Sequence, residues 1–360
     1  MTALAIIGTV LGGLVGVIVL YVVIVVFGPI SPPRIQLMDF SKEATKGVKA
    51  GPPESRIDIG FDVDGKTING RLYLPKDLTK PVPCIVMNNG FGGTMDMGVE
   101  PFALRYVDAG MAALSYDYRH FGASQGEPRQ LYSAQKQIAD CMAAVEYARN
   151  RDEIDRSKIC IWGTSSGGGY GLVVAARDKE IAAVCGQCPS LDGHADGQMA
   201  LKREGMWFFL GFLPHASRDK GRSRIGLSSH TVPIVGPVGS RALLNAPGAF
   251  EGYSRLVPGS FKNEVCARLA LENDHSLNPI NHAKDVECPV LLQPCTNDNI
   301  VALSAALKTA EILGDKASLI EYPVGHFDIY FGEHFERGVT DQIDFFNKHL
   351  FPHLSAQPPV

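Results

Sequence analysis

The segment GTSSG at 163–167 constrains the fold of this 360-residue chain more than any other. The apolar run KICIWG leads directly into it over 158–163, and GGGYGLVVAA follows over 167–176. A buried strand that turns at once into a helix needs a crowded turn, which glycine permits. The pattern therefore predicts a nucleophile elbow, in which the Ser165 hydroxyl stands at a helix N-terminus.

Short apolar runs alternate with helical patterns along most of the chain. The alternating segments SRIDIGFDV and TINGRLYLP, on either side of Asp64-Gly65, predict a β-hairpin. Continuous apolar runs predict buried parallel strands at 83–89, 111–117, 158–163, 182–188, 289–295 and 317–323. Helices are predicted over about 97–109 and over 130–150, the second with an apolar face of Ile138, Met142, Val145 and Ala148. We therefore expect an α/β fold with a mostly parallel central sheet and helices on both faces.

Residues 192–282 interrupt this alternation. They contain an apolar block, MWFFLGFLP, and a Pro/Gly-rich stretch, VPIVGPVGSRALLNAPG. A typical domain has about 150 residues, but one large α/β domain with an insertion fits the length equally well. We expect a single domain over 54–352 in which residues 192–282 form a cap over one end of the sheet.

Residues 3–27 contain no charged side chain. A helix of this length spans about 37 Å, which is enough to cross a hydrocarbon core of about 30 Å with some tilt. A cleaved signal peptide is the alternative, but it would have a basic residue before a shorter apolar run. The sequence therefore predicts a retained transmembrane helix over 3–27, followed by a Pro/Gly-rich linker over 28–53.

The charges beside this run predict its orientation. Arg34, Lys42 and Lys46 follow the run, whereas only the α-amino group precedes it. The positive-inside rule then predicts a single-pass membrane protein with its catalytic domain in the cytoplasm. Cysteines inside apolar runs agree with a reducing compartment.

Further patterns concern partners and cofactors. Gly8, Gly12 and Gly16 share one helix face and would suit close approach in a homodimer, although glycine is common in membrane helices anyway. The 34 basic and 38 acidic residues form no Lys/Arg-rich run, so we expect no nucleic-acid partner. Cys185 and Cys188 form a lone C-x-x-C without the second pair of a zinc site, so we expect inert packing.

The Ser165 hydroxyl needs a base to accept its proton, and the base needs an acid to orient it. His326, in YPVGHFDIY, follows the last predicted strand, and Asp298, in PCTNDNI, follows the strand before it. The carboxyl ends of parallel strands are where open α/β sheets collect ligands. The order predicts a Ser165–Asp298–His326 catalytic triad, with Asp192 as a possible substitute acid and a simple turn as the alternative for Asp298.

An oxyanion hole needs two backbone N–H donors. One is expected from Ser166, the residue after the nucleophile. The other is expected from Phe91, in the loop NNGFGGTMD, where glycines allow close approach to a substrate. A glycine-rich turn without a catalytic part is the alternative for this loop.

With these residues assembled, the chain resembles the α/β-hydrolase superfamily, and most closely the serine hydrolases grouped with X-Pro dipeptidyl peptidases and dienelactone hydrolases. The resemblance covers about 55–350 and includes GFGGTMDMG, YDYRHFGASQGEPR and VGHFDIYFGEHFERG. It implies an α/β-hydrolase fold with an inserted cap. It also implies Ser165 as nucleophile, Asp298 as acid, His326 as base, and Phe91 and Ser166 as oxyanion donors.

The chain departs from this group at two positions. Many members have His where Asn89 stands and Gly where His120 stands. Neither position transfers the proton, so the departures concern the shape of the pocket. The resemblance implies acyl-transfer hydrolysis, for which no metal or organic cofactor is needed.

We expect a small-molecule acyl substrate, and a carboxylic ester in particular. The cap residues that would line an acyl pocket, or equally form the core of the cap, are Trp207, Phe208 and Phe212. The alternative is an aminopeptidase or an X-Pro dipeptidyl-peptidase-like amide hydrolase. That activity would need a cap carboxylate for the substrate ammonium group, and the candidates are Glu204, Asp219 and Glu251. A non-catalytic binding protein is disfavoured because all three triad positions hold competent residues.

Protease added to intact cells or spheroplasts should leave the chain whole, and the chain should sediment with membranes. The reason is that the basic flank keeps the residues after the anchor on the cytoplasmic side. Immunoblotting after protease treatment measures this, with a detergent-lysed sample as the control that must be digested. Digestion without lysis would contradict the orientation, and a soluble protein that lacks residues 1–30 would contradict the anchor.

Overall fold

The computed structural model describes residues 3–38, 54–272 and 274–351. The strands are β1 (Arg56–Val63), β2 (Lys66–Tyr73), β3 (Val82–Asn88), β4 (Ala112–Tyr116), β5 (Ile154–Thr164), β6 (Ala183–Gln187), β7 (Thr231–Val232), β8 (Val265–Cys266), β9 (Val290–Gln293) and β10 (Ala317–Leu319). The α-helices are α1 (Ala3–Phe27), α2 (Glu100–Asp108), α3 (Ala134–Arg149), α4 (Ser166–Arg177), α5 (Gly193–Glu204), α6 (Met206–Leu210), α7 (Leu213–Arg224), α8 (Ala249–Leu256), α9 (Leu303–Leu313) and α10 (Gly332–Leu350). Short 3-10 helices span Ala267–Leu271, His275–Leu277, Pro279–Asp285, Gly314–Lys316 and Asp328–Tyr330.

The central sheet has eight strands in the order β1-β2-β4-β3-β5-β6-β9-β10. β1 and β2 form the expected antiparallel hairpin around Asp64-Gly65, and β2 pairs antiparallel with β4. The other neighbours in the sheet pair in parallel. The predicted fold class, with its mostly parallel sheet, is confirmed.

Side chains of β5 alternate between the two faces of this sheet and so divide the core. Ile159 and Ile161 pack in the apolar cluster that contains residues of α3 and α4. Cys160 and Trp162 pack in the cluster on the opposite face, with residues of α2 and α10. Because consecutive side chains on a strand point to opposite faces, one short apolar run covers both sides of the sheet. All eight cysteines of the chain are free thiols.

The apolar face of α3 differs from the prediction at one position. Met142 is 40% exposed, whereas Cys141 is fully buried in the cluster between α3 and the sheet. The buried stripe runs through Ile138, Cys141, Val145 and Ala148, all on one side of the helix. Met142 lies one position beyond that stripe, so its side chain turns outward.

β10 is shorter than the apolar run that predicted it. It ends at Leu319, although backbone pairing goes on irregularly: the N–H of Ile320 donates to Leu292 O at 2.9 Å, and that of Tyr322 to Pro294 O at 3.0 Å. Pro323 follows and has no N–H to donate. The chain therefore leaves regular pairing just before His326.

Residues 192–282 contain α5–α8, the two-stranded sheet β7-β8 and three of the 3-10 helices in whole or part. They approach the loops at the carboxyl ends of the central strands. A Cβ on Gly92, in the loop after β3, would lie 2.7 Å from Ile234 Cδ1 and 3.2 Å from the Tyr253 hydroxyl. This segment therefore closes over the edge of the sheet at which Ser165 lies.

Among the described residues, α1 is long and apolar enough to cross a membrane, with a mean hydropathy of 3.0 over Val10–Phe27. Its C-terminal end packs against α7, where Val25 and Val26 are buried. Arg218 Nη1 donates to Val25 O at 2.8 Å and to Gly28 O at 2.7 Å. Carbonyls in the last turn of a helix have no partner within the helix, and arginine here supplies one.

Replacing Gly167 with Ala should destabilise the fold by about 1–3 kcal/mol or more, because a Cβ there would lie 2.4 Å from Asn89 O and 2.6 Å from Asn88 O. Gly197 lies in α5 with nothing within 4 Å of its Cβ position. Gly197→Ala is therefore the matched control and should stabilise by up to about 1 kcal/mol. Chemical denaturation of both variants measures the difference, and equal stability of the two would contradict the crowding.

Candidate active site

Ser165 lies between β5 and α4 in a backbone conformation with φ 54° and ψ −126°. Residues with a Cβ avoid this region unless the surrounding structure enforces it. Here the Ser165 N–H donates to Gln187 O at 3.0 Å, and the Ser165 carbonyl accepts from the Ser190 N–H at 2.9 Å. Both bonds tie the turn to the segment that begins at the end of β6 and so hold Ser165 in this conformation.

Two glycines make the turn possible by leaving out a side chain. A Cβ on Gly163 would lie 2.3 Å from Gly167 O, inside the same turn. A Cβ on Gly167 would collide with the end of β3, at Asn89. The turn after β5 therefore packs directly on the loop after β3, which contains Phe91.

His326 and Asp298 come together as the order of the strands predicts. The Nδ1 atom of His326 lies 2.6 Å from Asp298 Oδ2, and both side chains are buried. The other carboxylate oxygen, Oδ1, accepts the backbone N–H groups of Ile300 at 2.7 Å and Val301 at 3.0 Å. Asp298 is thus both a turn former and a partner of the imidazole, and its orientation is fixed by backbone.

The buried carboxylate changes the acidity of the imidazole. Burial by itself lowers the pKa of His326, but the charge of Asp298 and the hydrogen bond to it raise the pKa to about 9 in balance. A carboxylate on Nδ1 fixes the tautomer in which the proton lies on Nδ1. The Nε2 atom then has a lone pair that can accept a proton.

A cavity of about 220 Å³ brings the predicted residues together. Ser165, His326, Phe91 and Ser166 all line it. Within the described chain, the backbone N–H groups of Phe91 and Ser166 have no acceptor. The Phe91 carbonyl accepts the Tyr253 hydroxyl at 2.9 Å, which fixes the peptide that follows Phe91.

Asp192, the substitute acid, is placed elsewhere. It is the N-cap of α5, where Oδ1 accepts the His194 N–H at 3.0 Å and the Asn278 side-chain amide at 2.9 Å. Asp196, one helical turn later, lines the 220 Å³ cavity instead. Burial raises the pKa of Asp196 to about 6 although Ser190 and Ala302 donate hydrogen bonds to it. The sequence offered no sign of this residue, because its position depends on where α5 begins.

The three cap aromatics divide between inside and outside. Phe208 and Phe212 line a second cavity of about 850 Å³. Trp207 is 84% exposed and lines neither cavity, so its predicted place in the pocket is wrong. The reason is that α6 begins at Met206, which places Phe208 on its inner face and Trp207 on its outer face. The two cavities share Tyr132, Ser166 and Ser190, so they adjoin beside the nucleophile turn.

None of the carboxylates proposed for an ammonium group lines either cavity. Asp219 is fully buried and pairs with Arg268, Nε to Oδ2 at 2.6 Å. Glu204 pairs with Arg203 at 2.7 Å, and Glu251 is exposed on α8. None of the three is therefore placed to bind a substrate in either cavity.

The two positions that depart from the resembling group have different surroundings. Asn89 lines the smaller cavity, and its side-chain amide donates to Tyr116 O at 3.4 Å. His120 has φ 74°, a backbone region that favours glycine. Its Nδ1 atom lies 3.0 Å from Pro128 O, and burial lowers the pKa of the ring to about 4. His120 therefore fills a buried turn outside the two cavities.

Comparisons with known proteins agree with this fold. A family model described as X-Pro dipeptidyl-peptidase (S15 family) matches residues 64–216. Quorum-quenching protein AidA of Acinetobacter baumannii (strain MDR-ZJ06) is 39% identical over 298 residues, which are 82% of this chain and 96% of that protein. Thiohydrolase aneE of Aspergillus aculeatus is 33% identical over 130 residues, 36% of this chain and 40% of that protein. The crystal structure of the α/β hydrolase GrgF from Penicillium sp. sh18 has a TM-score of 0.68 at 24% identity and covers 82% of this chain and 98% of its own.

The chain belongs to the α/β-hydrolase superfamily and is a hydrolytic enzyme, as the resemblance implies. Within that superfamily its similarity to AidA extends over nearly the full length of that protein. The matched family model ends at 216, so it includes the turn at 163–167 but neither Asp298 nor His326.

Asp298→Asn should lower kcat/KM on the order of 10³–10⁴-fold, because the amide stabilises the wrong imidazole tautomer. The wild-type pH profile should rise through a pKa above the usual 6.5 of histidine, since only neutral His326 accepts a proton. Loss of the carboxylate charge should move the residual rising limb to lower pH. Asp192→Asn, the matched control, should leave both the rate and the limb near wild type. The opposite ranking in side-by-side kinetics would move the acid to Asp192.

Proposed function

We propose that this chain is a serine hydrolase that cleaves carboxylic esters through an acyl-enzyme. The observation that carries the proposal is the 2.6 Å contact between Asp298 and His326, because the His326 imidazole lines the same cavity as Ser165. An acid, a base and a hydroxyl in this order activate the hydroxyl for attack on a carbonyl carbon.

The proposal assigns one residue to each step. Ser165 Oγ attacks the ester carbonyl carbon, and His326 Nε2 accepts the hydroxyl proton. The carbonyl oxygen becomes an oxyanion, for which the N–H groups of Phe91 and Ser166 are donors. The imidazolium gives its proton to the departing alkoxide, so an alcohol leaves and the acyl group stays on Ser165. The same imidazole then activates a water molecule, which releases the carboxylic acid and restores Ser165.

The larger cavity supplies room for the acyl group. It lies beside Ser166 and has Phe208 and Phe212 in its wall, and its volume of about 850 Å³ suits a small organic ligand. Apolar walls distinguish neighbouring chain lengths by roughly 1–3 kcal/mol per methylene. The acyl preference should accordingly be graded.

Thioesters are a second candidate substrate class, favoured by the name thiohydrolase of one relative. The same steps apply, with a thiolate in place of the alkoxide. Amides are the alternative that the matched family model suggests. They are disfavoured here because each carboxylate that lines a cavity already has a partner. Asp196 accepts from Ser190 and Ala302. In the larger cavity, Glu272 pairs with Lys220 and Asp274 accepts from Ser276.

The proposal includes attachment to a membrane through α1, with the enzyme on the cytoplasmic side. The support is the uncharged sequence of α1 and the exposure of its described side chains before Val25. Gly8, Gly12 and Gly16 have nothing within 4 Å of their Cβ positions, which leaves this face open to a second copy.

Ser165→Ala should abolish labelling by a fluorophosphonate and reduce ester turnover by several orders of magnitude, because the triad residues act as a unit. The wild type should hydrolyse short-to-medium p-nitrophenyl esters and the matching thioesters, with little activity on X-Pro or aminoacyl p-nitroanilides. Ser166→Ala, next in sequence, is the matched control and should still be labelled, since only its backbone N–H takes part.

Labelling of Ser165→Ala at the wild-type level would remove Ser165 as the nucleophile. Efficient turnover of an anilide that requires a free α-amino group would replace the ester proposal with an aminopeptidase. Measuring kcat/KM for all substrates on one preparation separates these results.

A further inference from the structure

The larger cavity extends from the nucleophile turn toward the end of the apolar helix α1. Ser166 and Tyr132 line it on one side, and Lys220 of α7 lines it on the other. Gly221, the next residue, touches α1: a Cβ there would lie 2.7 Å from Val26 Cγ2. The cavity therefore reaches within one residue of the contact between the cap and α1.

The outer surface beside one part of this cavity is apolar. Leu210 and Leu213 line the cavity and are each 40% exposed. Met206 and Trp207, on the same short helix as Leu210, are 56% and 84% exposed. A tryptophan whose ring is exposed to solvent is unusual on the surface of a soluble protein. Tryptophan rings are enriched at the boundary between lipid and water.

Charge completes the pattern. α7 carries four basic side chains, Arg218, Lys220, Arg222 and Arg224, and one acidic side chain, Asp219. Asp219 is buried against Arg268 and Lys220 pairs with Glu272, so the outward charge of α7 comes from Arg218, Arg222 and Arg224. A basic segment beside the end of an apolar helix is attracted to anionic lipid headgroups.

The end of α1 fixes how these features lie relative to a bilayer. Arg218 and Arg222 donate to backbone carbonyls of Val25, Val26 and Gly28, at the C-terminal end of α1. If α1 crosses a bilayer, this end emerges at its surface, and α7 is bound there. α6 and the start of α7 directly precede, along the chain, the residues of α7 that make this contact.

We propose that the surface formed by Met206, Trp207, Leu210 and Leu213 rests in the headgroup layer of the bilayer that α1 crosses, and that the 850 Å³ cavity receives the acyl chain of a membrane-dissolved ester from it. The substrate class is then an ester whose acyl chain partitions into lipid. The part that concerns the substrate rests on the proposed esterase function, whereas the part that concerns the surface does not.

The two tryptophans of the chain give a direct test, because Trp162 is fully buried and Trp207 is exposed. The full-length protein is reconstituted into vesicles of phosphatidylcholine and phosphatidylglycerol, with or without bromine on the acyl chains near the headgroup. Brominated lipid should quench tryptophan emission of the wild type by about twofold, since contact quenching reaches only a ring in the lipid interface. In Trp207→Phe the remaining emission of Trp162 should not respond.

Kinetics test the entry of substrate. Trp207→Glu and Met206→Glu should each lower hydrolysis of a long-chain acyl ester dissolved in the vesicles by about tenfold, because a charge weakens burial at the interface. Neither residue lines a cavity, so hydrolysis of water-soluble p-nitrophenyl acetate should be unchanged. Leu307→Glu, on α9 with 42% exposure, is the matched control and should alter neither rate.

Equal emission in brominated and ordinary lipid would overturn the proposal that this surface lies in the headgroup layer. A ratio of vesicle to soluble rates that is unchanged in both Trp207→Glu and Met206→Glu overturns the entry of substrate from the bilayer. If the wild type does not hydrolyse the soluble ester, the esterase proposal fails, and the quenching result still decides the surface on its own.

Discussion

The site depends on one constraint. The turn after β5 and the loop after β3 touch through their backbones, with no side chain between them. Gly167 brings the two segments within a distance that no Cβ would permit, and Gly163 does the same for the two sides of the turn itself. The same contact sets Ser165 in its unfavourable φ and places the Phe91 peptide beside it. Ser165 and the backbone N–H groups of Phe91 and Ser166 are thus positioned by main chain, which is stiffer than any arrangement of side chains.

The electrostatics of the site follow from burial. Asp298 is stabilised as a carboxylate by two backbone N–H groups, and its charge raises the pKa of His326. Asp196 is a second carboxyl close by, and its pKa is raised because burial and the charge of Asp298 both disfavour its ionised form. Both carboxyl groups accept backbone N–H groups, from Ile300 and Val301 at Asp298 and from Ala302 at Asp196.

The parts of the site that are set by local sequence could be predicted. Five residues, 163–167, are enough to predict the strand–turn–helix around Ser165. The order of the strands brings His326 and Asp298 to one edge of the sheet. The cap resisted prediction because its helices are short and their first residues decide which side chains face inward. Starting α5 at Gly193 makes Asp192 a cap and turns Asp196 toward the cavity, and starting α6 at Met206 leaves Trp207 outside. The contact of α7 with α1 depends on residues almost two hundred positions apart, which no local pattern records.

Arg218 and Arg222 bind peptide carbonyls of α1 and not its side chains. Every amino acid offers the same carbonyl, so apart from Val25 and Val26, which are buried at this contact, it places little demand on which apolar residues make up α1. Mutational drift within α1 should be tolerated as long as the segment stays apolar and ends at the same place. The demand falls on the other partner, where Arg218, Gly221 and Arg222 each have a shape or charge that a substitution would remove. Selection on the contact between α1 and α7 should consequently be visible mainly in α7, and relaxed in most of α1.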